Sequence, residues 1–281
     1  METPIIDTVA LRVGDLDRAT AFYEGILGLH VRNAGDATRE FLIAGDSSPL
    51  IRVVEAPDAK PKPASALGLY HFAMLVPDRT SLAAILRRLA DAGVRLQGAS
   101  DHHVSEALYL ADPDGHGIEI YRDRRPNEWT YTESGELYMT TDPLNLHELI
   151  SAAEHSSGLP EGTTIGHIHL HVSDIKTAEA FYAGALGFDV MVRSYPGALF
   201  VSTDGYHHHI GLNTWAGPNA APPDDQTIGM IEFAVRAPLR PNGSRASGDA
   251  HANGGPGEGT GTGTGTNVVT DPDGIRIRLI D

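Results

Sequence analysis

Residues 13–31 read VGDLDRATAFYEGILGLHV, and residues 172–190 read VSDIKTAEAFYAGALGFDV. Asp15, Ala21, Phe22, Tyr23, Gly25, Leu27 and Gly28 recur as Asp174, Ala180, Phe181, Tyr182, Gly184, Leu186 and Gly187, an offset of 159 residues. The same offset carries the turn Asp112-Pro113-Asp114-Gly115 onto Asp271-Pro272-Asp273-Gly274. Two separate matches at one spacing indicate a duplicated domain, because self-similarity at a fixed period marks a repeated structural unit.

Each copy opens as strand, helix, strand. Val9, Leu11 and Val13 alternate with Thr8, Ala10 and Arg12, the period of two of a half-buried strand. Asp15 stands where an N-cap belongs, Ala19, Phe22, Tyr23 and Ile26 follow at helical spacing, and Gly28 supplies the stop. A second unit is predicted as a strand over 69–76, a helix over 80–92 and a hairpin over 107–121 around the Asp-Pro-Asp-Gly turn. The plan is α+β, with four βαβββ modules at roughly 5–55, 66–122, 165–215 and 227–281. Modules one and two make a first domain (1–122), and modules three and four a second (165–281). The linker, 123–164, holds one predicted helix with Asp142 as cap, Pro143 at its first position and Leu146, Leu149, Ile150 and Ala153 on one face. In module four the helix position reads PNGSRASGDAHANGGPGEGTGTGTGTN, too rich in glycine to bury a face. Residues 237–267 are therefore expected to form a flexible loop.

Composition narrows the function. The chain has 281 residues and is 41% hydrophobic, enough for a sizeable core. It has no cysteine, which excludes disulfides, zinc-thiolate sites, iron–sulfur clusters and a cysteine nucleophile. No stretch approaches the roughly 18 apolar residues of a membrane span, and no basic segment precedes an apolar run at the N-terminus. A soluble, cytoplasmic protein without a membrane partner is expected. The net charge of −16 argues against nucleic acid, which demands clustered Lys and Arg. The 14 histidines, several of them bunched, point instead to metal ligation or acid/base chemistry.

The repeat D-x-x-x-A-x-x-F-Y-x-x-x-L-G, closing with the Asp-Pro-Asp-Gly turn and a strand, resembles the vicinal oxygen chelate superfamily. That group includes glyoxalase I, fosfomycin and bleomycin resistance proteins, and extradiol dioxygenases. Residues 68–73 (GLYHFA), 101–121 (DHHVSEALYLADPDGHGIEIY), 165–172 (IGHIHLHV) and 205–215 (GYHHHIGLNTW) resemble the bacterial catechol 2,3-dioxygenase family of four-module, single-chain proteins. The likeness covers residues 1 to about 235 well and the remainder poorly. The resemblance implies a glyoxalase-like fold of two curved mixed sheets.

It also implies a metal site on the first and last strands of paired modules. Module two offers His71 and Glu119, and module three offers His167. Module one has Thr8 in the place of His167. Module four has Met230 or Glu232 opposite His71, and Arg278 opposite Glu119, where an arginine repels a cation. Two His and one Glu form the facial triad associated with non-haem Fe(II), with Mn(II) as the alternative. Taken singly, Glu119 between two isoleucines could be a solvent-facing strand residue, and His71 a hydrogen-bonded core histidine. Around the metal the family places a tyrosine ten residues before the ligand Glu, which is Tyr109, and an acid/base histidine, assigned to His209 with His208 as fallback. A further histidine ahead of the tyrosine is matched by His102, two residues closer than the family spacing. On a regular strand His207 and His209 share one face and His208 the other, so only one of the two assignments can hold. Asn213 and Trp215 are candidates to line the pocket.

The function implied is ring cleavage of a catechol-type diol by O₂, with no organic cofactor and with monomer versus homo-oligomer left open. The alternatives are a metal-dependent glyoxalase-like isomerase or lyase, and a metal-free binding or resistance protein on the same fold.

Overall fold

The computed structural model describes residues 5–236 and 267–280. The predicted loop at 237–267 therefore lies outside the described residues, apart from Asn267. Module one contributes β1 (Ile6–Val13), α1 (Leu16–Thr20, continuing as a π-helical turn over Ala21–Ile26), β2 (His30–Gly35), β3 (Thr38–Leu42) and β4 (Ile51–Glu55). Module two contributes β5 (Gly68–Leu75), α2 (Arg79–Asp91), β6 (Gly98–Asp101), β7 (Ser105–Ala111) and β8 (Gly117–Asp123). The linker holds β9 (Asp142–Pro143) and α3 (Leu146–Ser151). Module three contributes β10 (Thr164–His171), α4 (Ile175–Glu179, with its own π-helical turn over Ala180–Ala185), β11 (Asp189–Val192), β12 (Ala198–Ser202) and β13 (Ile210–Asn213). Module four contributes β14 (Gly229–Val235), β15 (Val268–Thr270) and β16 (Arg276–Leu279).

The local signals act as their chemistry requires. Asp15, Asp78 and Asp174 cap their helices by accepting from the backbone N–H three residues on. The two Asp-Pro-Asp-Gly turns are tied to the helices of the modules before them. Tyr23 donates to Asp112 Oδ2 at 2.8 Å, and Tyr182 donates to Asp271 Oδ2 at 3.0 Å. One expectation is corrected in the linker. Asn145, not Asp142, caps α3 by accepting from Glu148 N. Asp142 and Pro143 instead pair as a short edge strand with β6, a position where proline's missing N–H costs no ladder bond.

The strands make two sheets, as the resemblance implies, and each sheet draws on both halves of the chain. One runs β15-β16-β14-β1-β4-β3-β2 and joins modules one and four. The other runs β11-β12-β13-β10-β5-β8-β7-β6-β9 and joins modules two and three. The largest cluster of buried apolar side chains includes residues of all four modules, among them Leu11, Phe72, Ile168 and Phe233. Among the described residues no helix is long and apolar enough to cross a membrane.

Both sheets carry a bulge at the same place in their central strand pair. Along β5 and β10, His71 faces His169 and Leu69 faces Leu170, which leaves Tyr70 without a partner. Along β14 and β1, Glu232 faces Ala10 and Met230 faces Leu11, which leaves Ile231 without one. Ala10 is the repeat equivalent of His169. Glu232, not Met230, is therefore the structural counterpart of His71.

Rows across the nine-stranded sheet explain why side chains converge there. One row runs His167–Ala73–Glu119–Tyr109–Gly98, and the next Gly211–His169–His71. Neighbouring strands lie about 4.8 Å apart, so large groups meet above the small residues between them. Glycine is needed at the margin of this surface. A Cβ on Gly117 would lie 2.1 Å from the Tyr70 carbonyl oxygen and 3.1 Å from the His71 Cβ. Gly117→Ala is expected to destabilise the protein by about 1–3 kcal/mol through this overlap, measured as a lower thermal midpoint. Gly184→Ala, with nothing near its added Cβ, should leave the midpoint unchanged or raise it.

Candidate metal centre

His71 on β5, Glu119 on β8 and His167 on β10 come from three adjacent strands and point to one spot. Glu119 Oε2 lies 3.0 Å from His71 Nε2 and 3.1 Å from His167 Nε2. All three residues are buried, at 6%, 2% and 2% exposure. Their ligand atoms lie within 4.8 Å of one another, and no other such trio of His, Asp or Glu occurs among the described residues.

Burial alone would raise the Glu119 carboxyl, but His167 and His71 outweigh it and hold the group well below the usual carboxylate range. Burial lowers His167, against the pull of the same carboxylate. The centre is thus an ionised carboxylate between imidazole nitrogens. A divalent cation fits it. His71 Nε2 lies 3.0 Å from Glu119 Oε2 without hydrogen-bond geometry and has no other partner among the described residues. A buried polar atom left in this state costs about 1–3 kcal/mol, which a bound ion would remove. Two imidazoles and one carboxylate suit Fe(II) or Mn(II), and they leave coordination positions open.

The equivalent positions on the other sheet hold different groups. Arg278, the counterpart of Glu119, forms an ion pair with Glu232, the counterpart of His71, with Nε 2.8 Å from Oε1. Thr8, the counterpart of His167, donates to the Pro49 carbonyl.

The triad lies on the wall of a cavity of about 310 Å³. Tyr109, His102 and His208 line it as well, together with Trp215. His102 Nδ1 lies 2.5 Å from the Thr140 carbonyl, which can only accept, so that nitrogen carries the proton. Its Nε2 then accepts from the Tyr109 hydroxyl at 2.6 Å. The shorter spacing does not stop His102 from reaching Tyr109. Burial, with the Glu119 charge second, pushes the Tyr109 phenol well above its ordinary value, so it remains a donor at neutral pH.

His209 is not in the cavity, and the preference for it over His208 is corrected. Its Nδ1 lies 2.8 Å from Ser202 Oγ and accepts from Thr203 N. The family assignment of His209 presumes a regular strand through the histidines, and β13 begins only at Ile210. In the irregular segment before it, His208 turns inward, its ring centroid 4.1 Å from that of His167. Burial, then the neighbouring histidines, holds His208 well below its ordinary value, so it is neutral. Asn213 does not line the cavity. Its Oδ1 accepts from His171 Nδ1 and from Trp215 N, which fixes the residue that does.

Sequence reading missed several wall residues. Tyr70 should face away from His71 by strand alternation, but the bulge swings it to the same side, with ring centroids 4.9 Å apart. His169 belongs to the row of three histidines on β10, so a signal for it was present. Its Nε2 is buried without a partner among the described residues. Phe200 and Tyr195 carried no motif. Met139, Thr140 and Thr141 come from the linker, where nothing pointed to a site.

A duplicated βαβββ chain with one buried His–Glu–His centre defines a class of protein, and comparison with known proteins agrees. The model of the Glyoxalase/Bleomycin resistance protein/Dioxygenase superfamily matches residues 5–120 and 164–279. The chain belongs to that superfamily. It is 46% identical over 233 residues to a protein named catechol-2,3-dioxygenase from Bacillus subtilis (strain 168), covering 81% of each chain. It is 28% identical over 165 residues to biphenyl-2,3-diol 1,2-dioxygenase 3 of Rhodococcus globerulus, covering 57% of this chain and 86% of that one. Among solved structures, glyoxalase I from Zea mays superposes with a TM-score of 0.57 at 15% identity, covering 99% of this chain and 92% of that one. At that identity the likeness concerns the fold alone.

Two outcomes follow. The full chain should take up one divalent ion, and Glu119→Gln should weaken uptake by more than the roughly 10–100-fold that loss of an outer hydrogen-bond partner costs, measured by isothermal titration. The metal-free protein should lose stability as pH falls. Burial lowers His209 from 6.5 to about 3 and also lowers His169 and His208. The unfolded chain therefore binds protons below about pH 6.5 that the folded one refuses. Stability conferred by these groups is present above 6.5 and declines from there toward pH 3, which denaturant midpoints between pH 7 and 5 would register.

Proposed function

We propose that the protein is an extradiol dioxygenase, inserting both atoms of O₂ into a catechol-type diol at a mononuclear Fe(II) held by His71, His167 and Glu119. The observation that carries this reading is the buried triad with His208, Tyr109 and His102 around one cavity. The relatives' names, catechol and biphenyl-2,3-diol dioxygenases, point the same way. A single carboxylate in the donor set favours it over an isomerase, whose sites in this superfamily tend to carry two.

His71, His167 and Glu119 would hold the Fe(II), which when bound would supply open coordination positions for the diol and O₂. The protein's own groups supply the rest. His208, neutral and on the cavity wall, is suited to take a diol proton. Tyr109 offers a hydroxyl whose proton His102 can accept, so the pair can donate to or relay a proton from a substrate oxygen. Such positioned proton transfer is worth about 10²–10⁴ in rate. Tyr70 and Trp215, exposed at 42% and 44%, have ring centroids 5.8 Å apart, edge to face. They present aromatic surface at the mouth for a flat ring. Phe200 and Met139 help to exclude water.

After anaerobic loading with Fe(II), the protein should consume O₂ on addition of catechol and form a yellow ring-opened product. Absence of uptake with every catechol tried would refute the reading. Tyr109→Phe should lower kcat by about 10²-fold or more with metal content unchanged. His209→Asn should retain turnover, as its ring lies outside the cavity.

A further inference from the structure

His208 does not stand alone. Its Nδ1 lies 2.8 Å from Nδ1 of His207, whose Nε2 lies 2.8 Å from Asp123 Oδ1. His207 is fully buried. Its ring is held by Tyr206 at 4.1 Å and Trp129 at 5.7 Å between centroids. Asp123 ends β8, the strand that carries Glu119, and its side chain is one quarter exposed. Its other oxygen accepts from the Tyr206 hydroxyl at 2.9 Å, and Tyr206 is in turn 2.7 Å from the Tyr121 hydroxyl. A continuous line of hydrogen bonds thus runs from the surface to the cavity wall.

The proton positions along this line follow from donor chemistry. A carboxylate only accepts, so His207 carries its proton on Nε2. Nδ1 of a neutral His207 is then bare and must accept. The proton shared between the two rings therefore belongs to His208 Nδ1, and His208 Nε2 is left as a lone pair. That nitrogen has no hydrogen-bond partner among the described residues and belongs to a side chain that lines the cavity.

We propose that Asp123 and His207 are positioning residues that fix the tautomer of His208, so that its ring presents an unprotonated Nε2 to the substrate. The inference rests on the dioxygenase reading only for its consequence, that this nitrogen receives a diol proton. The tautomer itself follows from the geometry with a neutral His207. Without the carboxylate, either ring could donate to the other, and His208 could equally present an N–H, which cannot accept. Asp123→Asn reverses the order with little change of shape. An amide N–H donating to His207 Nε2 forces the proton onto His207 Nδ1, and His208 must then carry its own on Nε2. The second ring nitrogen's hydrogen bond sets which nitrogen is available for chemistry, and the wrong tautomer is costly where a general base is needed.

The test is ¹⁵N NMR of the full chain labelled at histidine and loaded with Zn(II), a diamagnetic ion. In the wild-type protein His208 should show a protonated Nδ1 and a pyridine-like Nε2. In D123N these should exchange. The Fe(II)-loaded D123N protein should lose about 10²-fold in kcat with KM little changed, a split that general loosening of the fold would not give. A protonated His208 Nε2 in the wild-type protein overturns the proposal without recourse to any variant, as does an unchanged tautomer in D123N. The expected tautomers combined with no O₂ uptake by the wild-type protein would instead overturn the dioxygenase reading and leave this assignment standing.

Discussion

A carboxylate taken out of water is among the most expensive groups a protein can bury, and it persists only when opposite charge or strong donors surround it. Glu119 is 2% exposed, and its nearest companions are two imidazoles, of which burial lowers that of His167. That arrangement is poorly satisfied by protein alone and well satisfied by a divalent cation. The β-sheet around it is organised to produce the arrangement. Ala73 separates His167 from Glu119 across three strands, and bulges at Tyr70 and Gly166 bracket the ligands. The second bulge packs tightly, for a Cβ on Gly166 would lie 1.9 Å from the Tyr121 hydroxyl oxygen.

The duplication makes the chemistry of the site legible by contrast. Both sheets share strand order around a central antiparallel pair and share the bulge next to the ligand position. Only one of them keeps the ligands. In the other, an arginine has replaced the glutamate and a glutamate has replaced a histidine, and the two neutralise each other as an ion pair. One scaffold therefore supports a metal-ready cluster and a closed salt bridge, and the difference lies in three side chains. Function here resides in the site rather than the fold, which agrees with the range of proteins that share this architecture.

Much of this was readable from the chain itself. The 159-residue repeat located the modules, and helix caps and the Asp-Pro-Asp-Gly turns fixed their parts because each depends on contacts within a few residues. His71, Glu119, His167, Tyr109 and His102 were proposed from the family's motif positions, and the structure sets all five on one cavity wall. The failures share a cause. The inward turn of His208 and the exposure of Tyr70 to the cavity both arise where the strand period breaks, and a periodic pattern cannot report its own interruption. The pairing of strands across the two halves, and the part played by Met139 to Thr141 in the cavity wall, depend on contacts remote in sequence. They leave no local trace. The cap at Asn145 was missed because Asp142 and Pro143 mimic a helix start while serving as an edge strand.

Anomalous diffraction from crystals of the full chain grown with Mn(II) or, anaerobically, Fe(II) tests the central claim most directly. One peak per chain, within coordination distance of His71 Nε2, His167 Nε2 and the Glu119 carboxylate, is the predicted result. No peak there at saturating metal, or a peak at the His207–His209 run or beside Glu232 instead, would contradict the account.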